Sequence, residues 1–131
     1  MYKICSIIGA LTQSWIEEFS IIVAENIKIM EPIGYLDMLH LMQSSKSVLT
    51  DSGGVQKEAY YLRTPCVTLR KETEWTETVE TGWNTVAAGD KDIILSVSER
   101  SKEIRSLPHP NLYGNGTAAT EIVKILSNEV A

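Results

Sequence analysis

The succession of apolar and polar segments predicts an α/β protein built on a parallel sheet. Short apolar runs of strand length alternate with segments whose apolar residues recur at helical spacing, the pattern of successive βα units. One run, Val48 to Thr50, leads through Asp51-Ser52-Gly53-Gly54 directly into a helical pattern, so a strand, a glycine turn and a helix start lie within a few residues. The chain has 131 residues. That is the size of one ordinary domain, able to bury roughly two thirds of the surface its unfolded form exposes.

The elements follow in order. Ile4 to Ile8 reads as a buried strand and Gln13 to Phe19 as a helix. Ile27 to Met30 is a second strand, stopped at Glu31-Pro32. Tyr35 to Met42 is a helix with Tyr35, Met38, Leu39 and Met42 on one apolar face. Ser47 to Thr50 and Cys66 to Leu69 are strands flanking a helix from Gly54 to Leu62, and a polar loop then leads to a strand from Asn84 to Ala87. Asp90 is placed to cap a helix from Lys91 to Arg100, with Ile93, Ile94 and Val97 facing inward. Two prolines and two glycines make Ser106 to Gly116 an irregular connection, and Thr117 opens a last helix with Ala119, Ile122, Val123 and Leu126 on one side.

Composition narrows the function classes. With 44% hydrophobic and 22% charged residues the chain reads as a globular protein, and its formal charge of −5, with no basic cluster, argues against a nucleic-acid partner. No run approaches the ~18 apolar residues of a membrane span. The apolar start Met1 to Leu11 imitates a secretory signal, but it is short and has no convincing cleavage site. Cys5 and Cys66, far apart and each within an expected buried strand, read as small core residues in a reducing, cytoplasmic compartment. His40 and His109 have no metal-ligand spacing with other donors and read as a helix-surface residue and a loop residue. No nucleophile-base-acid set can be assembled, and no cofactor is implied.

The Ser52-Gly53-Gly54 turn is the chemically informative place. Glycine lets a ligand approach the backbone closely, the first N–H groups of the helix have no partner within it, and the helix start carries partial positive charge; together these favour an anion. Glu58 falls one turn beyond Gly54 on the same face, where a carboxylate can accept hydrogen bonds from sugar hydroxyls. Glycine there equally serves backbone geometry alone, and Glu58 equally serves as a solvated carboxylate complementing the helix start. Asp51 and Gln56 are weaker candidates, the first as a cap for the Gly54 helix and the second as a surface residue.

Four phrases carry a resemblance. Glu31-Pro-Ile-Gly-Tyr-Leu-Asp37, Leu49-Thr-Asp-Ser-Gly-Gly-Val-Gln-Lys-Glu-Ala59, Arg70 with Thr73-Glu74-Trp75 and Glu77, and Asn111-Leu-Tyr-Gly-Asn-Gly116, in this order, resemble the C-terminal domain of the non-hydrolysing UDP-N-acetylglucosamine 2-epimerases. The similarity covers residues 26–126 and leaves 1–25 as a divergent start, where Gly9-Ala-Leu-Thr12 stands in place of a His-Pro-Arg-Thr-like turn. It implies a single Rossmann-like three-layer domain over residues 1–131, equivalent to the C-terminal half of a two-domain GT-B-like fold. The N-terminal domain of that fold, which brings most acid and base groups, and an essential upstream histidine are not in this sequence.

By the same resemblance Ser52, Gly53 and Gly54 hold the diphosphate of UDP, Glu58 takes the ribose hydroxyls, backbone around Ile33 to Met38 approaches the uracil with Met38 as apolar neighbour, and Arg70 neutralises phosphate or anchors the Thr73-Glu74 loop. For Met38 the plain alternative is helix core. Trp75 stands where bacterial members commonly carry arginine. The complete enzyme interconverts UDP-N-acetylglucosamine and its 2-epimer by removing the C2 proton, eliminating UDP and adding it back on the other face. The residues here supply only a clamp for the leaving diphosphate, so the chain is expected to bind UDP or UDP-N-acetylglucosamine and to be inactive alone. Its expected partner is a separate N-terminal domain or a second copy of itself. The competing readings are a non-catalytic self-association or regulatory module, and half of a GT-B glycosyltransferase.

Overall fold

The structure, a computed structural model, describes residues 4–129. The chain divides after Leu41 into two compact units, each with its own parallel sheet. The first contains strand β1 (Ile4–Ile7), helix α1 (Ala10–Glu18), strand β2 (Ile27–Met30) and most of helix α2 (Tyr35–Ser44), which continues to the start of the second unit. β1 and β2 pair in parallel, with Ile4 opposite Ile27 and Ile7 opposite Met30. A pair of strands has too little area to cover its own faces. Cys5, expected in the core, is therefore exposed, and so are Ile4 and Ile29. Leu11 and Trp15 on α1 and its C-cap residue Phe19 fall at helical spacing and stay largely exposed. On α2, Met42 is buried and Met38 and Leu39 half-buried as expected of an apolar face, but Tyr35 is exposed.

The second unit runs β3 (Val48–Thr50), α3 (Gly53–Tyr61), β4 (Cys66–Thr68), α4 (Thr76–Glu80), β5 (Asn84–Val86), α5 (Lys91–Glu99), α6 (Ser101–Ile104) and α7 (Ala118–Glu129). The strands pair in the order β3-β4-β5, all parallel, with Val48 opposite Cys66 and Cys66 opposite Asn84. Every residue of β4 is buried, so both faces of the central strand are covered. α4 lies where the sequence suggested only a polar loop, and α6 was not foreseen at all. Helices of five and four residues are too short to show a period.

Tyr60, Val67, Trp83, Ala87, Val97 and Ile104 form the core, with Ile94, Leu112 and Tyr113 packed against it. Asp90 caps α5, its carboxylate accepting from the N–H groups of Asp92 at 2.9 Å and Ile93 at 3.1 Å. Of the three residues expected to face inward there, Ile94 and Val97 do so and Ile93 does not. The connection through residues 106–116 is irregular yet firmly held. Trp83 Nε1 donates to Pro108 O at 3.0 Å, Tyr60 Oη to Pro110 O at 2.6 Å and Tyr61 Oη to Tyr113 O at 2.9 Å. His109 is accordingly more than a loop residue: its ring stacks on Tyr60 with centroids 4.1 Å apart, and its Nε2 lies 2.8 Å from Tyr60 O. The apolar side of α7 forms as expected, but Ile122, Val123 and Leu126 are each more than half exposed.

The two cysteines have opposite environments. Burial pushes the Cys66 thiol up to about 12, whereas Cys5 is exposed. Since the thiolate is the reactive form, a thiol reagent at pH 8 is expected to label one cysteine per native chain and two in denaturant. Equal labelling rates in the native protein would contradict this arrangement.

Candidate functional site

The start of α3 is built by three consecutive constraints. β3 ends at Thr50, whose Oγ1 accepts from the Ser52 N–H at 3.0 Å and bends the chain through Asp51. Ser52, not Asp51, holds the N-cap position, and its side chain makes no capping hydrogen bond. The Ser52 carbonyl accepts from Gln56 N at 3.2 Å, which begins the helical ladder and leaves the N–H groups of the first turn directed out of the helix start. The two glycines then differ in purpose. A Cβ at Gly53 would collide with the Glu74 carboxylate and come within 3.2 Å of Trp75 Nε1, whereas one at Gly54 would meet only Ser52 Oγ at 3.9 Å. Gly53 is therefore required by the loop that lies over it. Gly54 leaves an open approach to the helix start.

That loop is tied down from below. Gln56, expected at the surface, is completely buried. Its Oε1 accepts from Thr73 Oγ1 at 2.6 Å and from Asn84 Nδ2 at 3.1 Å, and Thr73 Oγ1 in turn accepts from Trp75 N at 3.1 Å. Asn84 also donates to Thr78 Oγ1 at 3.1 Å and accepts from Thr68 Oγ1 at 2.8 Å. One buried polar network thus joins the first turns of α3, the 73–75 loop, α4 and strands β4 and β5. Most buried polar groups are hydrogen-bonded, and although Gln56 Nε2 has no partner, the remaining bonds of this network fix the loop against the helix start.

Arg70 Nη1 donates to Glu74 Oε2 at 3.1 Å, and both side chains are about half exposed. Of the two roles the sequence left open for Arg70, the loop anchor is the one formed here, through a single hydrogen bond and not a bidentate fork. Next to it Lys57 Nζ lies 4.8 Å from the Trp75 ring centre and 4.7 Å from that of Tyr113, and the two rings meet edge to face at 5.8 Å. The indole N–H of Trp75 is buried without a hydrogen-bond partner. Burial and the neighbouring Glu77 carboxylate raise the Tyr113 hydroxyl above its ordinary value, so it stays neutral.

Ser52, Gly53, Gly54, Glu58 and Arg70 are thus all carried by the second unit. Glu58 is half-buried on α3, about 6 Å further along the helix axis than Gly54 and on the same face. Met38 belongs to the first unit, half-buried on α2. Lys57, Glu74 and Tyr113 were not singled out from the sequence. Nothing in their spacing relates them, because residues 57, 74 and 113 meet only through the fold. Among the described residues no group of three or more His, Cys, Asp or Glu is placed to hold a metal ion, and no helix is long and apolar enough to cross a membrane.

With this geometry in place, comparison with known proteins is decisive. Residues 6–127 match the family described as UDP-N-acetylglucosamine 2-epimerase. The chain belongs to that family. It is 45% identical over 104 residues to a UDP-N-acetylglucosamine 2-epimerase homolog of Methanococcus maripaludis, which covers 79% of this chain and 29% of that protein. It is 42% identical over 101 residues to UDP-2,3-diacetamido-2,3-dideoxy-D-glucuronate 2-epimerase of Pseudomonas aeruginosa, covering 77% of this chain and 28% of the relative. Among solved structures it resembles the UDP-GlcNAc 2-epimerase of Methanocaldococcus jannaschii in complex with UDP-GlcNAc and UDP, with a TM-score of 0.78 at 39% identity over 95% of this chain and 35% of that one. The chain therefore spans under a third of the length of these curated relatives. Its α/β architecture with parallel strands is that of one Rossmann-like half of the two-domain relatives, as expected of their C-terminal domain.

Proposed function

We propose that this chain is the UDP-gripping part of an epimerase of this family. The observation that carries the proposal is the start of α3, a helix N-terminus without a side-chain cap, opened to ligand at Gly54 and lying in a chain similar to a UDP-bound epimerase. Ser52 Oγ and the N–H groups of Gly53 and Gly54 take the diphosphate, where helix-start polarity stabilises its charge. Glu58 accepts from the ribose 2′ and 3′ hydroxyls. Arg70 adds a cation to the phosphate side. These groups stabilise the diphosphate that builds up as the glycosidic bond breaks, which is the clamp's share of an elimination and re-addition of UDP. Removal of the C2 proton needs a base within hydrogen-bond reach of that atom, and no residue of this set is offered for it. Turnover then depends on acid and base groups from outside these residues, in the form of an N-terminal domain. UDP is the commoner denominator than any one sugar, since the two relatives above carry the names of different sugar nucleotides at nearly the same identity.

Calorimetric titration tests this. UDP is expected to bind, and Glu58→Ala to weaken it by about tenfold or more, the worth of hydrogen bonds to a charged acceptor. No detectable binding at millimolar UDP would refute the reading. The largely exposed side chains of Leu11, Trp15 and Phe19 in the first unit, and of Ile122, Val123 and Leu126 on α7 of the second, favour a second reading, a self-associating module. A dimer in sedimentation that binds no UDP would select it.

A further inference from the structure

The Glu74 carboxylate lies where no ligand could share the space. It packs against Gly53 so closely that a methyl group there would collide with it, it is held by Arg70 at 3.1 Å, and the unpartnered indole N–H of Trp75 comes within 3.2 Å of the same point. A carboxylate at the start of a helix satisfies the partial positive charge there as an external anion would. We propose that Glu74 is a built-in competitor for the diphosphate site, a specificity-determining residue that covers Gly53 in the free protein and is displaced when a nucleoside diphosphate binds.

The consequence for selectivity follows from charge. Displacing Glu74 breaks its pairing with Arg70, and this is offset only by a ligand whose own negative charge takes up Arg70 Nη1 together with the so far unpartnered Trp75 Nε1 and the N–H groups of the helix start. A diphosphate does so. A nucleoside without phosphate does not, and leaves Glu74 in place. Because the Arg70–Glu74 pair is half exposed, the barrier it sets is small, which suits a gate that must open at each binding event. Trp75 then has a role in this chain, as a neutral N–H donor next to the phosphate.

This inference rests on the UDP-binding reading above, and the experiment separates the two. Wild type, Glu74→Gln, Glu74→Asp and, as a control for charge on the same exposed loop, Glu72→Gln are titrated calorimetrically with UDP and with uridine, after thermal melts show all four folded. Both Glu74 variants are expected to bind UDP about threefold to fivefold more tightly, the range of a surface ion pair, with uridine unaffected and Glu72→Gln equal to wild type. Glu74→Asp is the critical member, since it keeps the charge and only withdraws the carboxylate by one methylene from Gly53. UDP affinities equal across the set would overturn the competitor role and leave UDP binding standing. So would a gain shared by Glu74→Gln and Glu72→Gln but absent from Glu74→Asp, which is general repulsion. Absence of UDP binding in all four would overturn both.

Discussion

Asn84→Ala is expected to destabilise the protein by about 3–5 kcal/mol, although the side chain removed is small and polar. Asn84 is 2% exposed and makes three hydrogen bonds to Gln56, Thr68 and Thr78, each of them fully buried. Deleting it leaves the buried Thr68 hydroxyl without its acceptor, at roughly 1–3 kcal/mol, and removes one bond of ~1 kcal/mol each from Gln56 Oε1, which keeps Thr73, and from Thr78 Oγ1, which keeps the Trp75 carbonyl. Urea unfolding monitored by circular dichroism measures the loss. Gln56→Ala and Asn84→Ala combined are expected to cost less than their sum, since they share one hydrogen bond. A loss below about 1 kcal/mol for Asn84→Ala would show that the network contributes little and that the 73–75 loop is held by other contacts.

Trp83→Ala, one residue earlier in the chain, is expected to be as costly by a different route. Its ring is 2% exposed and meets Tyr60 and His109 edge-on at 6.4 and 4.9 Å. Truncation removes this packing, opens a cavity among Tyr60, Val67, Val97 and Ile104, and frees the Pro108 carbonyl from its 3.0 Å hydrogen bond. Large-to-small changes of this kind cost about 3–5 kcal/mol. The damage is also local to a segment: residues 106–113 lose one of their tethers, so amides there are expected to exchange faster in hydrogen-exchange measurements than those of β4. Unchanged protection of 106–113 would place the hold in Tyr60 and Tyr61 alone.

The contrast between these neighbours shows what was legible beforehand. Local patterns sufficed for β2, which matches its expected bounds, for α3 and α5 within a residue at each end, and for the Asp90 cap, because each rests on spacing or on a side chain bonding its own next turn. The Ser52-Gly53-Gly54 turn was legible for the same reason. What stayed hidden was long-range. Gln56 reads as a surface glutamine until Thr73 and Asn84, 17 and 28 residues away, are brought to it. Cys5 reads as a core residue until its sheet proves to have two strands.

The sequence by itself determined the order and type of the main elements, the family, and the glycine turn from which α3 starts, since propensity, period and glycine chemistry all act over a few residues. Only the tertiary structure decided why Gly53 must be glycine, which partner Arg70 takes, and how residues 57, 74, 75 and 113 gather around one helix start. Those are matters of which distant segments share the same space, and the period of a strand or helix carries no record of that.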